Sequence, residues 1–420
     1  MSSAVAHLPP SELERLRRRT VWTLVGGVAL GSTGHIAAIT VATIVAKELT
    51  GSANFAGAPA AAVVFGAALG ATVLSWEMSR NGRRRGLVAG YSIGVVGAVI
   101  AVVAIVQASI ALLLFGSLLI GFGNSANQLS RYAAADLYPS DRRATALSTV
   151  VWAATVGAIV GPNIVGPSGD VAMALGLPHL AGPYLVPIVL VGLAAILSFV
   201  RLRPDPYDLA DHHGRPADDT GPASPIAAIL RRPTVFVAII ALVVGQFVMV
   251  LIMTMTPLHM TDHGHDLGSV GIVLSAHIAG MYAFAPVSGR LTDRFGSALV
   301  IYGGMAVLAV AAVMAAVAPV EDDRILLVAL FLLGFGWNLG YVAGSAMLTS
   351  GVSIVERTRV QGVADALIWS TAAIASLGSG VLVAAEGYAA LGVLGAILVA
   401  VPAWVLTVRR GSVERVASTA

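Results

Sequence analysis

The 420-residue sequence contains no cysteine, which excludes disulfides, thiol catalysis and cysteine-ligated metals. Charge is nearly as scarce. Asp, Glu, Lys and Arg supply 11% of residues, whereas a soluble domain carries roughly 25%. With hydrophobic residues at 57%, the chain has too few polar side chains to cover a water-facing surface. Two motifs are also missing, the H-E-x-x-H of zinc hydrolases and the G-x-x-x-x-G-K-[ST] loop of nucleotide-driven pumps. The expectation is therefore neither an enzyme nor an ATP-driven pump, with no cofactor.

What the chain has instead is length in its apolar runs. Twelve lie near 21–46, 54–77, 87–107, 109–135, 144–166, 181–201, 234–258, 268–289, 298–318, 325–350, 359–383 and 387–408. A helix needs about 20 apolar residues to cross the hydrocarbon core. None of the runs alternates as a barrel strand would. The predicted fold is an all-α membrane protein with twelve transmembrane helices. The first run is too long for a signal-peptide core and reads as a retained helix.

Basic residues assign the two sides. With a cytoplasmic N-terminus, bearing Arg15, Arg17, Arg18 and Arg19, the same-side loops hold Arg80, Arg83, Arg84, Arg85, Arg142, Arg143, Arg201, Arg203, Arg231, Arg232, Arg290, Arg294, Arg357 and Arg359. The opposite loops hold only Lys47 and Arg324. This positive-inside bias puts both termini in the cytoplasm. It also accounts for the pI of 9.4 without nucleic acid as a partner.

Residues 203–232 break the pattern. Rich in Pro, Gly and Asp, they read as a polar cytoplasmic linker in which His212 and His213 are solvated. The linker divides the chain into an N-terminal six-helix bundle, 1–202, and a C-terminal one, 233–420. The halves resemble each other. Leu118–Gly123 reads LLIGFG in the fourth run and Phe331–Gly336 reads FLLGFG in the tenth. Arg142 and Trp152 stand ten apart at the fifth run, as do Arg359 and Trp369 at the eleventh, so the copies are offset by 213 and 217 residues. Two pseudo-symmetric bundles about an axis along the membrane normal are a transporter architecture, with the substrate held near mid-bilayer.

Between runs eight and nine stands Gly289-Arg290-Leu291-Thr292-Asp293-Arg294-Phe295-Gly296. It resembles the signature loop of the major facilitator superfamily, G-x-L-x-D-R-x-G. Gly289 lets two helices approach, and Asp293 offers a carboxylate to a helix N-terminus, which attracts anions. Arg294 can pair with an acidic group, and Gly296 permits a tight turn. The resemblance implies a gate that latches the cytoplasmic side and breaks during alternating access. The matching first-half stretch, Ser75 to Arg85, keeps its Arg80-x-Gly82-basic end but has Ser75 for the glycine and Ser79 for the aspartate. The latch is expected to rest mainly on the second half.

Gly157 to Gly166 reads GAIVGPNIVG, similar to the family's drug–proton antiporter motif G-x-x-x-G-P-x-x-G-G. Gly157, Gly161 and Pro162 match, while Val165 replaces one glycine and Ser148 stands at an upstream glycine position. A small-residue packing face with a proline kink gives the same pattern. The family's helix-four arginine is absent from its place near Ser117, which leaves the usual proton-coupling scheme without its cation.

Ionisable side chains at bilayer depth are costly, so each is a functional candidate. His35 falls near the midplane of the first run, His277 in the outer half of the eighth and Asp365 in the cytoplasmic third of the eleventh. These three are the proton-coupling candidates. Asn124, Asn127 and Gln128 share one face of the fourth run. Asn338 and Tyr341 lie at corresponding depth in the tenth, and Gln246 lies in the seventh. In the family, helices one, four, seven and ten line the cavity. The resemblance thus implies that His35 and these polar residues line it, with Trp152 and Trp369 able to stack on an aromatic or cationic ligand. Helix–helix hydrogen bonds and packing are the competing roles. Met249, Met253 and Met255 would give a soft wall, or fill the core. On the outer side, His259, Asp262, His263, His265 and Asp266 have side chains that ligate divalent metals, though a hydrated loop explains them as well.

These features point to secondary active transport of a small organic solute by alternating access, proton-coupled and directed outward, in the plasma (inner) membrane. The expected partners are the solute, protons and the bilayer, and the expected state is a monomer. The alternative is an uptake carrier for a polar nutrient or a divalent metal.

Overall fold

The computed structural model describes residues 9–51, 57–139, 141–209, 224–265, 267–320, 323–350 and 352–419. Among them there is no strand, and twelve helices are long and apolar enough to cross a membrane. They are α1 (Pro10–Thr50), α2 (Ala58–Asn81), α3 (Arg83–Val106), α4 (Ile110–Ala135), α5 (Arg143–Asn163), α6 (His179–Arg201), α7 (Pro233–Met260), α8 (Ser269–Phe295), α9 (Ser297–Val317), α10 (Arg324–Leu348), α11 (Glu356–Glu386) and α12 (Ala389–Arg409). The chain is a multi-pass α-helical membrane protein. His212 and His213 lie outside the described residues.

Local chemistry sets the helix ends. α1 starts before its apolar run because Pro10 occupies the first turn, where a missing N–H is no loss. It ends at Gly51, left-handed at φ 66°, whose N–H reaches the Lys47 carbonyl. The helix containing α11 starts behind a capping box. Ser353 Oγ accepts from the Glu356 N–H, and the Glu356 carboxylate accepts from the Ser353 N–H. α5 is broken at Ala153 and ends at Asn163, just after Pro162.

The chain forms two compact units. The first is Met1–Tyr138, Ala153–Asp211 and Gln361–Trp369. The second is Pro139–Trp152, His212–Val360 and Ser370–Ala420. Each therefore includes a short segment from the opposite half of the sequence. In the first unit, Val41, Val45, Ala101, Leu113 and Tyr184 form part of a buried apolar core. α1, α4, α7 and α10 are the most buried of the twelve helices. α3, α6, α9 and α12 turn side chains such as Val103, Phe199, Val313 and Trp404 outward, a surface suited to lipid.

The repeat is a packing device. In LLIGFG, Gly121 lies against the backbone of Val63 and Ala67 on α2, and Gly123 against Gly94 on α3. In FLLGFG, Gly334 lies against His277 and Met281 on α8, and Gly336 against Gly304 and Leu308 on α9. A Cβ at Gly121, Gly334 or Gly336 would collide with a neighbouring helix, and one at Gly123 would be a tight fit. The turns repeat as well. Gly82 (φ 89°, ψ 163°) is the sole link between α2 and α3, and Gly296 (φ 83°, ψ 150°) between α8 and α9. Only glycine takes that backbone region without strain of about 1–3 kcal/mol.

Gly82→Ala and Gly296→Ala should both lower the melting temperature of the detergent-purified protein. Gly82→Ala should lower it more, because its new Cβ would lie 2.5 Å from the Asp205 carboxylate, whereas nothing lies within 4 Å at Gly296. Equal losses would show that backbone strain alone decides.

Candidate functional site

The first unit encloses two buried ion pairs. Arg131, one turn before the end of α4, meets Asp365 with Nη2–Oδ1 at 2.6 Å and Nη1–Oδ2 at 3.3 Å, and both side chains are at most 3% exposed. Tyr132 supports the pair. Its hydroxyl accepts from Arg131 Nη2 at 2.8 Å and donates to Asp365 Oδ1 at 3.3 Å, while its ring lies 4.1 Å from the guanidinium carbon. Arg131 also donates to the Gln128 carbonyl at 2.6 Å. The second pair joins Arg83 at the start of α3 to Asp136 just past α4, with Nη2–Oδ2 at 2.6 Å. Arg83 also donates to Gln361 Oε1 at 2.6 Å. Counting basic residues by side treats Arg83 as a solvated loop cation, yet it is 1% exposed. Arg131 was given no role by sequence. Its signal was a charge inside an apolar run, in a chain whose intramembrane Asp365 lacked a cation.

Beside this group, Asp205 accepts from the N–H groups of Arg83, Arg84 and Tyr207 at 3.1, 3.0 and 2.8 Å. It thereby caps α3. Burial pushes its carboxyl above the usual range, against the downward pull of those three N–H groups.

The signature loop lies in the second unit. Asp293 Oδ1 accepts from the Ala144 N–H at 2.9 Å and Oδ2 from the Thr145 N–H at 2.8 Å, so the carboxylate sits on the first turn of α5. That is the contact its position in the motif predicts. Gly289 packs against Ser148 and the Ala144 carbonyl, with no room for a Cβ. Arg294 forms no ion pair among the described residues. It lies exposed with its guanidinium 5.1 Å from the centre of the Phe295 ring. In the first unit the corresponding Ser79 bonds only its own helix, at the Trp76 carbonyl. α11 has no need of a borrowed carboxylate, because Glu356 caps it and is held in turn by Arg232 at 2.8 Å.

Several polar candidates tie helices together. Asn127 donates to Ser32 on α1 at 2.8 Å and accepts from Tyr91 on α3 at 3.3 Å. Asn338 accepts from Ser288 and donates to the Met281 carbonyl at 2.6 Å, both on α8. His277 is fully buried and donates from Nδ1 to the Leu330 carbonyl at 2.9 Å. Gly157 and Gly161 seat α5 against Ser32 and Ile36 of α1. His35 Nδ1 and Asn124 Nδ2 are buried without partners.

In the second unit, Gln246 on α7 accepts from the indole N–H of Trp337 at 2.8 Å. Trp337 stacks on Tyr341 at 4.4 Å and meets Tyr282 edge-on at 6.1 Å. Trp337 escaped sequence reading, and Gln246, at matching depth on a neighbouring helix, was its signal. Trp152 is 38% exposed in the second unit, and Trp369 is half-buried in the first.

His259, His263 and His265 have other partners. His259 stacks on Tyr388 at 4.1 Å, His263 Nδ1 bonds the His259 carbonyl at 2.7 Å, and His265 Nε2 bonds the Val320 carbonyl at 2.8 Å. Asp262 is exposed, and Asp266 lies outside the described residues. Among the described residues no three His, Asp or Glu side chains converge as metal ligands would. A G-x-S-x-G match at Gly90–Gly94 lies inside α3, where both glycines pack on other helices, rather than at a strand-to-helix turn.

Twelve apolar helices, a duplicated glycine pattern and charges buried in pairs define an integral membrane transporter. The Major Facilitator Superfamily model matches residues 22–269 and 251–420, and the chain belongs to that family. It is 38% identical over 392 residues to a Bacillus subtilis (strain 168) protein named uncharacterized MFS-type transporter YdeG, covering 93% of this chain and 91% of that one. It is 30% identical over 375 residues to the riboflavin transporter RfnT of Brucella anthropi, covering 88% and 90%. Among solved structures it is similar to the human organic anion transporter MFSD10 (TM-score 0.73, 15% identity, 95% of this chain and 100% of that one). It is also similar to the E. coli fucose:proton symporter FucP (TM-score 0.73, 16% identity, 92% and 97%). At these identities the structures speak for the fold alone.

Removing one member of a buried pair strands the other, at a cost of about 3–5 kcal/mol, whereas an apolar replacement of both is close to neutral. Arg131→Met should therefore destabilise the protein strongly. Adding Asp365→Leu should restore most of the melting temperature, and no recovery would show that the pair is not coupled. Asp293→Asn keeps one acceptor but loses the charge and one N–H bond. It should impair transport in proteoliposomes while membrane insertion stays normal. Normal rates would remove the latch argument.

Proposed function

We propose that this chain is a proton-coupled secondary transporter that moves a small organic solute outward by alternating access, with its basic loops and both termini in the cytoplasm. The observation that carries this is the Arg131–Asp365 pair. A proton taken by Asp365 neutralises it and leaves the Arg131 guanidinium buried without a counterion. That state is costly, so proton loading favours a rearrangement in which Arg131 finds other partners. Loss of the proton restores the pair. The side chain is thus suited to link a protonation step to the packing of α4 against the Gln361–Trp369 segment.

The second unit supports a solute class. A stacked Trp337 and Tyr341 with the Gln246 amide alongside suits a flat organic ring with a polar edge. The 157–166 stretch favours export by its likeness to the antiporter motif. A second reading, uptake of an organic nutrient, draws support from the relative named as a riboflavin transporter. The metal version of uptake draws none from the His259–His265 region.

The test begins with a thermal-shift screen of detergent-purified protein against vitamins, lipophilic cations and divalent metals. Flux of a stabilising compound is then followed in liposomes under an imposed pH gradient. In the wild type the gradient should drive accumulation. Asp365→Asn should lose the gradient response but keep exchange of labelled for unlabelled compound. An unchanged gradient response would strike Asp365 from the mechanism.

A further inference from the structure

In the first unit two unpartnered polar atoms are brought together by helix register. Asn127 on α4 donates to Ser32 on α1 at 2.8 Å, and a Cβ on Gly31 would lie 2.5 Å from Asn127 Oδ1. These contacts fix the face that α1 turns toward α4. His35 is three residues beyond Ser32 and four beyond Gly31, so it stands on that face one turn farther on. Asn124 is three residues before Asn127. As first and fourth spans, α1 and α4 cross the membrane in opposite directions, so Asn124 is displaced in the same sense. Each displacement is about 4.5 Å along its helix. The two side chains therefore occupy the same level, one turn from the Ser32–Asn127 bond.

At that level His35 Nδ1 and Asn124 Nδ2 are buried and make no hydrogen bond. Asn124 is 6% exposed. Adjacent in sequence or bonded to the same network, Ser125 donates to the Ala67 carbonyl at 2.6 Å and Tyr91 to Asn127. A buried donor or acceptor left unmet is expensive, and two at one level need a common explanation. A solute that supplies both partners provides one.

We propose that His35 and Asn124 form a recognition pair for the edge of a flat heterocycle in which a carbonyl oxygen adjoins a ring N–H, as in a cyclic imide or lactam. Asn124 Nδ2 donates to the carbonyl. His35, neutral with its proton on Nε2, accepts the ring N–H at Nδ1. This rests on the transporter reading above and narrows its substrate class. Sites built around such bonds discriminate sharply against analogues that cannot make them.

Riboflavin carries an imide edge and fluoresces, and 3-methylriboflavin lacks the ring N–H. Both are titrated against the full-length protein in detergent, with uridine and xanthosine as further imides competing for the site. Wild type should bind riboflavin at least tenfold more tightly than the methylated compound. Asn124→Leu and His35→Leu should each lose that preference while keeping weak, equal binding to both. Equal binding by wild type needs no variant to interpret and overturns the pair, as does an intact preference in Asn124→Leu. If none of the three imides binds, the substrate class is overturned. The transporter reading is judged separately, by the pH-gradient response of Asp365→Asn with whichever screened compound stabilises the protein.

Discussion

A guanidinium buried in a membrane span is costly unless a counter-charge is held beside it, and Arg131 has Asp365 at 2.6 Å. Much of the surrounding structure serves that condition. Tyr132 donates to the carboxylate, accepts from the guanidinium and lays its ring beside it. The pair needs the Gln361–Trp369 stretch of α11 within the first unit, where Arg83 also donates to the Gln361 amide oxygen. The segment is therefore held by hydrogen bonds that depend on charge as well as by packing. A contact of that kind answers to protonation, which a purely apolar contact cannot do.

The two halves solve one packing problem with exchanged parts. At the crossing of α8 and α5, Gly289 faces Ser148. At the crossing of α2 and α11, Ser75 faces Gly362. Ser75 to Gly289 and Ser148 to Gly362 are both shifts of 214 residues. Each crossing thus has one glycine and one serine, and only the owner of the glycine changes. Seen alone, Ser75 and Ser148 are departures from family motifs. Seen as contact pairs, each is compensated by the glycine opposite. The same shift puts Trp152 and Trp369, 217 apart, about one turn out of correspondence. Helix capping follows the same logic. α5 borrows the carboxylate of Asp293, whereas α11 is capped by Ser353 and Glu356, so Ser79 can stand where the second half has aspartate.

Features governed by nearby sequence were legible without the structure. The helices follow from apolar length, and the tight turn at Gly296 and the Asp293 cap from the signature loop. What stayed hidden required a partner far along the chain. Counting arginines by side treats Arg83 as solvated, and nothing in the local sequence gives Arg131 a partner; their carboxylates lie 53 and 234 residues away. Asn127 and Asn338 read as cavity residues because depth and helix number cannot show whether an amide is already bonded. Ser32 and Ser288 consume them. His35 and Asn124 look no different in sequence, and only the bonds made by their neighbours set them apart.

The duplication is unequal where it matters most. The repeat maps Arg131 onto Gly344 in α10 and Asp365 onto Val151 in α5, so the second unit has no copy of the charged pair. In exchange it has the Asp293 cap, which the first unit lacks. A symmetric carrier would present two equivalent protonation sites and two equivalent latches, and nothing would decide which crossing yields first. Here one crossing is held by a side-chain ion pair that a single proton can cancel. The other is held by a carboxylate on two backbone N–H groups at a helix N-terminus, and a proton on that carboxylate would weaken it as well. The α4–α11 contact therefore sets a carboxylate against a side-chain cation, and the α8–α5 contact sets one against backbone N–H groups.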